Sequence, residues 1–217
     1  MSRIDTVKSL IRRAIGCGAL EDLSMEQRLA AWPGARTLQS RHLQNCRLYP
    51  ERRELLHLVP KGGVCAEVGV WKGEFSQSIL EVTTPSRLHL IDFAKESIDL
   101  ADRMFAAERA RGVVQTHHGL SVDTLNAMPD NYFDWLYIDA DHRYEGIYGD
   151  LRAARAKMKP GGLLAINDYI YFAPVDFAKY GVVEAVNEFC LEFDYEFVAM
   201  ALHPRMYMDV LLRPIAT

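Results

Sequence analysis

From Val64 onward, short apolar runs alternate with segments whose apolar residues recur at helical spacing. This alternation restricts the possible folds more than any other feature of the chain. The predicted strands are Val64–Val68, Arg87–Asp92, Val113–His117, Phe133–Asp139, Leu163–Ile166, Tyr195–Leu202 and Met206–Leu212. The predicted helices are Phe75–Val82, Glu96–Arg111, a short helix that begins at Ser121 and ends before Pro129, Glu145–Met158 and Val182–Phe193. Strands that alternate with helices predict an α/β fold with a doubly wound, Rossmann-like and mostly parallel sheet.

The last two predicted strands are joined only by the short segment His203-Pro-Arg205. Two parallel strands need a crossover connection of about a dozen or more residues, whereas antiparallel strands can be joined by a tight turn. We therefore expect an antiparallel hairpin at the C-terminal end of an otherwise parallel sheet.

Residues 1–57 follow a different pattern. Apolar residues recur at helical spacing between Ile4 and Ile15, a second helix is predicted from Ser24, and a third short helix is predicted over 51–58. We predict that 1–57 form an N-terminal helical cap or dimerisation segment and that 58–217 form the α/β domain. The basic first helix suits packing on its own domain or on a partner subunit better than binding to a membrane surface.

The charge and composition of the chain exclude several functional classes. The formal net charge of -4 provides no electrostatic footprint for nucleic acid. No apolar run approaches the ~20 residues that span a bilayer, and Arg12 and Arg13 interrupt what would be the apolar region of a signal peptide. The four cysteines are far apart and form no CxxC pair, which predicts reduced thiols and a cytoplasmic protein.

Oxygen-bearing side chains follow two of the predicted strands. Asp139 ends the fourth strand, and Asn167 and Asp168 follow the fifth. Parallel strands bring their carboxyl ends to one edge of the sheet, where open α/β sheets bind ligands, and three hard oxygens at that edge suit Mg²⁺. His142, three residues after Asp139, is a usable general base near neutral pH. The alternative interpretation is a pair of loop-capping carboxylates with a surface histidine.

The segment Glu67-Val-Gly-Val-Trp-Lys-Gly73 joins the first strand of the α/β domain to its first helix. Glycine at 69 and 73 allows the backbone to turn tightly and to approach a ligand closely. Trp71 stands where the dinucleotide fingerprint G-x-G-x-x-G has its second glycine. This departure argues against NAD or FAD and therefore against a redox enzyme.

Polar residues after the next two strands fit the remainder of a nucleoside. Asp92 ends the second strand, where a carboxylate can accept the hydroxyls of a ribose, although a solvated strand-end aspartate is the alternative. Gly119-Leu-Ser121 can border an adenine, and Ser121 also suits a helix N-cap. His117 and His118 are adjacent on a strand and point to opposite faces, so we predict a structural role for them instead of a shared metal ion.

Two groups of motifs carry a resemblance to known families. Glu67-x-Gly69-x-x-x-Gly73, Asp92, Gly119-x-Ser121 and the terminal hairpin resemble a class I S-adenosylmethionine-dependent methyltransferase over roughly residues 60–213. The segment Ile138-Asp-Ala-Asp-His-Arg-Tyr144, followed by Asp150-Leu151, Pro160-Gly-Gly162 and Asn167-Asp168, resembles the bacterial O-methyltransferases of methyltransferase family 24. It is also similar to the metal-dependent catechol O-methyltransferases.

The resemblance implies S-adenosylmethionine as the cofactor and supplies the expected site. The expected cofactor-binding residues are Glu67 and Gly69 at the methionine part, Trp71 and Gly73 in the same loop, Asp92 at the ribose, His118, Gly119 and Ser121 beside the adenine, and Asp139. The expected metal ligands are Asp139, Asn167 and Asp168, and the expected catalytic residues are His142 and Asp139. In the catechol enzymes a lysine takes the place of His142 and the acid precedes the amide, so the reversed order here leaves open which of Asn167 and Asp168 binds the metal.

We therefore expect 58–217 to be the catalytic domain of a Mg²⁺-assisted O-methyltransferase. Its expected acceptor is a hydroxyl of a small molecule such as a sugar, a glycosylated natural product or a phenol, and a cytoplasmic homodimer is the expected form. The aromatic loop Tyr169–Tyr180 is predicted to be either a lid over the acceptor or a packed surface loop. Two other functions stay open: a metal-independent small-molecule methyltransferase, and a non-catalytic nucleoside-binding scaffold.

Overall fold

An eight-stranded sheet organises the residues that the computed structural model describes, namely 24–26, 34–175 and 178–216. The strands are β1 (Arg47–Tyr49), β2 (Val64–Val68), β3 (Arg87–Asp92), β4 (Val114–His118), β5 (Phe133–Ile138), β6 (Met158–Ile166), β7 (Phe172–Ala173), β8 (Ala178–Lys179), β9 (Tyr195–Ala201) and β10 (Asp209–Pro214). The α-helices are α1 (Arg52–Leu55), α2 (Glu74–Thr83), α3 (Lys95–Met104), α4 (Ala106–Ala110), α5 (Ser121–Asn126), α6 (Tyr144–Lys157) and α7 (Val182–Phe193). The strand order is β1-β9-β10-β6-β5-β2-β3-β4, and β7 pairs with β8 in a separate small sheet.

The predicted fold class is confirmed. Strand β2 lies parallel to β3 and β5, and the pairs β3 with β4 and β5 with β6 are also parallel. Strand β10 lies antiparallel to both β9 and β6, as the tight connection between the last two strands requires. The sheet is therefore Rossmann-like with an antiparallel C-terminal hairpin.

Strands β2 and β3 and helix α7 have the predicted bounds, whereas the bounds of the other predicted elements differ, most of them by one residue at an end. Strand β6 begins at Met158 instead of Leu163. The helix predicted over 96–111 is interrupted at Phe105, whose backbone leaves helical geometry while its ring is buried. The predicted N-cap at Ser121 is wrong, because Leu120 occupies the cap position and Ser121 is the first residue of α5. The last strand begins at Asp209 instead of Met206, because Met206 has a φ of 67° in the turn after β9.

The segment that precedes β2 joins the main sheet, which the sequence analysis missed. Strand β1 pairs in parallel with β9 at the sheet edge. It has only three residues and its Leu48 is exposed, so no alternating pattern marks it in the sequence. The helices predicted over 4–15 and from Ser24 lie outside the described residues, apart from 24–26, and the domain boundary at 57 stays a prediction.

Both faces of the sheet are covered by helices, as a parallel sheet requires. On one face, Leu136 and Ile138 of β5 belong to a buried apolar cluster with residues of α6 and α7, such as Ile147 and Phe189. On the other face, residues of α1, α2 and α3 pack in a second cluster that includes Cys65, Leu88, Trp135 and Tyr137. None of the helices in the described part of the chain is long and apolar enough to cross a bilayer.

The sheet changes direction between β2 and β5. From β2 the chain proceeds through β3 to β4 on one side, whereas β5 is followed by β6 on the other. Gly69 lies directly after β2 with a φ of 91°, and a Cβ atom there would lie 1.8 Å from the Asp139 carbonyl oxygen. Only glycine permits this approach of the two strand ends, and such a switch point is where open α/β sheets bind ligands.

A partly buried pair of histidines, His89 and His117, joins β3 and β4. His89 Nδ1 lies 2.8 Å from His117 Nε2, and His89 Nε2 lies 3.1 Å from the Tyr132 hydroxyl. His118 Nε2 lies 3.0 Å from the Phe93 carbonyl oxygen instead. The structural role predicted for His117 is consistent with these contacts, because the two adjacent histidines have different partners.

Replacing Gly69 with alanine is expected to lower the free energy of unfolding by about 3 kcal/mol or more, because the new Cβ would overlap the Asp139 carbonyl. Gly161→Ala is the matched control, since Gly161 also has a positive φ, 76°, but has no atom within 4 Å of an added Cβ. That variant is expected to lose only about 1 kcal/mol. Urea denaturation measures both, and equal losses would contradict the steric argument.

Burial lowers the pKa of His89 to about 4, and repulsion from His117 and Arg87 adds to the effect. The pKa of His89 in the folded protein lies below its ordinary value of 6.5, so protonation of this side chain opposes folding. The protein therefore has its full stability with respect to this group above pH 6.5 and loses part of it as the pH falls toward 4. We expect the free energy of unfolding to be about 1–2 kcal/mol smaller at pH 5 than at pH 7 through this group. Urea denaturation of His89→Gln should show a correspondingly weaker pH dependence, whereas the exposed control His57→Gln should follow the unmodified protein.

Candidate active site

A cavity of about 1300 Å³ opens along the carboxyl ends of β2, β3, β5 and β6. Its walls include the residues that follow those strands, among them Gly69, Asp92, Asp139 and Asn167. Pockets for one small molecule usually occupy roughly 300–1,000 Å³. The cavity therefore has room for two ligands side by side.

The loop between β2 and α2 is held by the carboxylate of Asp92. Its Oδ2 accepts hydrogen bonds from the backbone N–H groups of Val70 at 2.8 Å and Trp71 at 3.1 Å, and its Oδ1 accepts one from Ala94 at 2.8 Å. A carboxylate has about four lone-pair sites, so one remains for a ligand hydroxyl. Asp92 thus supports the loop, a role the sequence did not predict, and still lines the cavity.

Two residues of this loop have left-handed backbone conformations besides Gly69. Gly73, with a φ of 75°, is the N-cap of α2, and a Cβ there would lie 3.1 Å from the Met104 sulfur. Trp71 has a φ of 47° although it is a bulky residue, and its side chain is 69 % exposed at the rim of the cavity. A strained conformation of a large residue at a ligand-binding loop is typical of functional sites.

Glu67 is buried at the end of β2, where it lines the cavity. Its Oε2 accepts a hydrogen bond from the Ser76 hydroxyl of α2. Burial raises the pKa of Glu67 to about 8, and the Ser76 hydrogen bond and the Arg52 charge oppose that rise. The predicted methionine-binding position is therefore a carboxyl group in a site of low polarity.

The nucleoside side of the cavity differs in part from the prediction. Gly119 and Ser121 line the cavity as predicted, whereas His118 lies outside the lining residues. Two apolar residues that the sequence analysis missed, Phe93 and Leu120, line it although they are 74 % and 65 % exposed. The sequence could have indicated these two residues, because Phe93 directly follows Asp92 and Leu120 directly follows Gly119.

The predicted metal ligands and base come together at the floor of the cavity. His142 Nε2 lies 3.3 Å from Asn167 Oδ1, 3.6 Å from Asp139 Oδ1 and 3.7 Å from Asp168 Oδ2. The His142 ring stacks on Tyr180, with 4.5 Å between ring centroids. Burial and the nearby charges of Asp209 and Asp168 raise the pKa of Asp139 well above its usual range, and Arg52 opposes this effect. The structure does not decide which of Asn167 and Asp168 would bind the metal, because both have an oxygen near the His142 imidazole.

A second layer of side chains, absent from the sequence prediction, fixes these groups. The Tyr137 hydroxyl donates to Asp209 Oδ2 at 2.6 Å. The Asn167 amide nitrogen donates to the Tyr137 hydroxyl and to Asp209 Oδ1, both at 3.1 Å, which leaves the Asn167 oxygen directed toward His142. Burial raises the pKa of Asp209 to about 6, although its hydrogen bonds and Arg52 oppose the rise. Asp209 begins β10, so only the sheet order brings it here.

The residues fit a magnesium site by the chemistry of their donors. Carboxylate and amide oxygens are the hard ligands that Mg²⁺ prefers, and a cation would relieve the repulsion between the Asp139 and Asp168 carboxylates. Among the described residues, no group of three or more His, Cys, Asp or Glu side chains has metal-binding geometry, and the metal assignment stays a prediction.

In the described part of the aromatic loop, two tyrosine hydroxyls form hydrogen bonds with residues outside the loop. The Tyr169 hydroxyl donates to Asn187 Oδ1 at 2.6 Å, and the Tyr171 hydroxyl accepts a hydrogen bond from the Ala35 backbone at 2.5 Å. Val175 is the residue of the described loop that lines the cavity, and Phe177 lies outside the described residues. These contacts favour the packed-loop alternative over an aromatic lid.

Comparison with known proteins agrees with this arrangement. A family described as a methyltransferase domain matches residues 66–169. A SAM-dependent methyltransferase from Aquifex aeolicus has a similar structure, with a TM-score of 0.59, 15 % sequence identity, and coverage of 76 % of this chain and 90 % of that one. The pyocyanin biosynthetic protein PhzM matches with a TM-score of 0.56, 16 % identity, and coverage of 75 % and 54 %.

The methyltransferase CalH, solved as a complex with SAH, matches with a TM-score of 0.53, 19 % identity, and coverage of 76 % of this chain and 56 % of that one. The chain thus spans about half the length of PhzM and of CalH. At these identities the structural matches show a shared fold. No curated protein sequence matches the chain significantly.

The matched segment runs from β2 to the residue after Asp168, so it contains the glycine loop, Asp92, and the acidic strand ends with His142. Nothing in the comparisons distinguishes a catechol-type enzyme within this group. Residues 66–169 thus match a methyltransferase domain, and the fold around them is the one found in S-adenosylmethionine-dependent methyltransferases.

Proposed function

We propose that this protein is a Mg²⁺-assisted O-methyltransferase that transfers the methyl group of S-adenosylmethionine to a hydroxyl of a small molecule. The observation that carries the proposal is the convergence of Asp139, Asn167 and Asp168 on Nε2 of His142 at the floor of the cavity. Hard oxygen ligands suit Mg²⁺ and an imidazole can accept a proton, so together they suit the deprotonation of a hydroxyl.

The donor occupies the part of the cavity between the β2–α2 loop and α5. The loop around Gly69, with Glu67 beneath it, binds the methionine part. The remaining lone pair of Asp92 accepts a ribose hydroxyl, and the exposed rings and methyl groups of Phe93 and Leu120 cover the adenine. This assignment explains why large apolar side chains stay exposed around the cavity mouth.

During transfer, the acceptor oxygen attacks the methyl carbon, the carbon–sulfur bond of the donor breaks as the carbon–oxygen bond forms, and the hydroxyl proton moves to the imidazole of His142. When bound, Mg²⁺ supplies Lewis-acid polarisation of the hydroxyl and fixes its oxygen in line. Tyr180 keeps the plane of the imidazole by stacking on it. The carboxylates of Asp139 and Asp168 stabilise the imidazolium that forms.

The acceptor side of the cavity is lined by Val175, His203, Arg205 and Tyr207, and Tyr207 accepts a hydrogen bond from the Val175 backbone at 3.0 Å. This wall is more polar than a site for a plain aromatic ring would require. A sugar or a glycosylated natural product is therefore our preferred acceptor, ahead of a simple phenol. Homodimerisation and a cytoplasmic location remain predictions.

A second candidate is a metal-independent methyltransferase, which one observation favours. His142 Nε2 already lies within 3.7 Å of the carboxylates of Asp139 and Asp168. A protonated imidazole there would neutralise the same charge that a divalent cation would. In this alternative, Asn167 and Asp168 orient the acceptor and His142 still receives its proton.

His142→Ala is expected to lower kcat by about 10²–10⁴-fold, because the general base is lost. Transfer of a labelled methyl group from S-adenosylmethionine would be measured with acceptors found by screening sugars, glycosylated phenols and catechols. The affinity for S-adenosylhomocysteine should stay within about threefold, since His142 does not bind the donor. The control is His57→Ala, an exposed histidine after α1, which should keep full activity. Full activity of the His142 variant would contradict the assigned role.

Chelation tests the metal. Dialysis against EDTA should abolish methyl transfer and added Mg²⁺ should restore it, whereas activity indifferent to both treatments supports the metal-independent alternative. Asp168→Asn keeps an oxygen at the site but removes one charge, so it should raise the Mg²⁺ concentration needed for half-maximal activity by about tenfold or more. Equal Mg²⁺ requirements in the variant and the unmodified protein would remove Asp168 from the metal site.

A further inference from the structure

Arg52 reaches the site from outside the matched methyltransferase segment. It begins helix α1 and is one of the residues that line the cavity. Its Nη1 lies 3.4 Å from the Tyr137 hydroxyl and 3.9 Å from Asp139 Oδ2. The guanidinium carbon lies 4.7 Å from the centroid of the Phe75 ring, which in turn packs on Tyr137. The side chain is therefore positioned by an aromatic surface and a charge.

The known contacts of Arg52 leave most of its donors available. A guanidinium carries five N–H donors in a planar fork that matches a carboxylate. Within the described residues its polar contacts use Nη1, while Nε and Nη2 make no hydrogen bond. About half of the side chain is exposed, at 46 %, so a ligand in the cavity can reach these donors.

The charges around Arg52 define what it would bind. Its nearest titratable neighbours in the cavity are the carboxyl groups of Glu67, Asp139 and Asp209, which repel an anion. The other lysines and arginines among the described lining residues are placed differently: Lys72 covers the Trp71 ring, Arg143 is bound bidentately to Asp141, and Arg205 lies in the turn between β9 and β10. An anionic group near the ends of β2 and β5 therefore has Arg52 as its basic partner in the described structure.

We propose that Arg52 binds the α-carboxylate of the amino-acid part of the methyl donor, and that this contact selects donors that carry a carboxylate. The inference rests on the proposed function, because the methionine part must lie at the Gly69 loop beside Glu67 and Asp139. The ammonium group then faces those acidic side chains while the carboxylate meets the free edge of the guanidinium. Arg52 is a donor-binding residue in this assignment and takes no part in proton transfer.

The test compares two ligands that differ only in the carboxylate, S-adenosylhomocysteine and its decarboxylated analogue S-adenosyl-3-thiopropylamine, by isothermal titration calorimetry. Arg52→Gln is expected to weaken S-adenosylhomocysteine by roughly 10- to 100-fold and to leave the decarboxylated analogue within about threefold. Arg52→Lys keeps the charge without the fork and should give an intermediate loss for S-adenosylhomocysteine alone. The matched control is the neighbouring Arg53→Gln, whose guanidinium pairs with Glu81 at 2.9 Å on the surface and which should bind both ligands normally.

The outcomes separate the possible failures. Unchanged S-adenosylhomocysteine affinity in Arg52→Gln would overturn the assignment and point to an anionic group on the acceptor. An equal loss for both ligands, in a variant that melts at the temperature of the unmodified protein, would overturn it in favour of a general electrostatic effect on the site. If Arg52→Gln fails to fold, the same comparison with Arg52→Lys decides the question. If the unmodified protein binds neither ligand, the proposed function itself fails, and the assignment of Arg52 fails with it.

Discussion

The contact between the ends of β2 and β5 is the constraint on which the site depends. The Asp139 N–H donates to the Val68 carbonyl at 2.7 Å, and the Gly69 N–H donates to the Ile91 carbonyl at 2.8 Å, so three adjacent strands end in one hydrogen-bonded layer. Because Gly69 has no side chain, its loop can lie against the Asp139 backbone. The donor loop and the acidic edge therefore lie next to each other.

Assembling this edge concentrates negative charge in a region of low polarity. Glu67, Asp139 and Asp209 are all removed from bulk water in part or in full, and burial raises the pKa of each. Buried carboxyl groups are tolerated when hydrogen bonds or cations compensate them. The compensation here comes from the Ser76 and Tyr137 hydroxyls and from the Arg52 guanidinium. The residual repulsion between carboxyl groups is the physical basis for expecting a cationic ligand at this edge.

Sequence reasoning located the central residues of the site because it needed only the ends of strands. Asp139, Asn167 and His142 were predicted to meet from the rule that parallel strands share a carboxyl edge, and they do meet. His118 was assigned to the cofactor because it precedes Gly119, but His118 does not line the cavity, and its imidazole lies against the Phe93 carbonyl oxygen. For the aromatic loop the sequence left a lid and a packed loop open, because composition does not show that Tyr169 and Tyr171 are used as anchors.

The second layer could not be predicted, because its members come from distant parts of the chain. Arg52 precedes β2, Tyr137 is the next-to-last residue of β5, and Asp209 begins β10. They meet because β10 inserts antiparallel between β6 and β9 and because α1 packs under the same sheet face. The sequence by itself determined the fold class, the alternation of strands and helices from β2 onward and the polar residues at the carboxyl ends of β2, β3, β5 and β6, since these depend on local periodicity and turn chemistry. The tertiary structure alone decided which side chains orient those residues and which face the cavity, since such contacts depend on sheet order and packing between segments far apart in the chain.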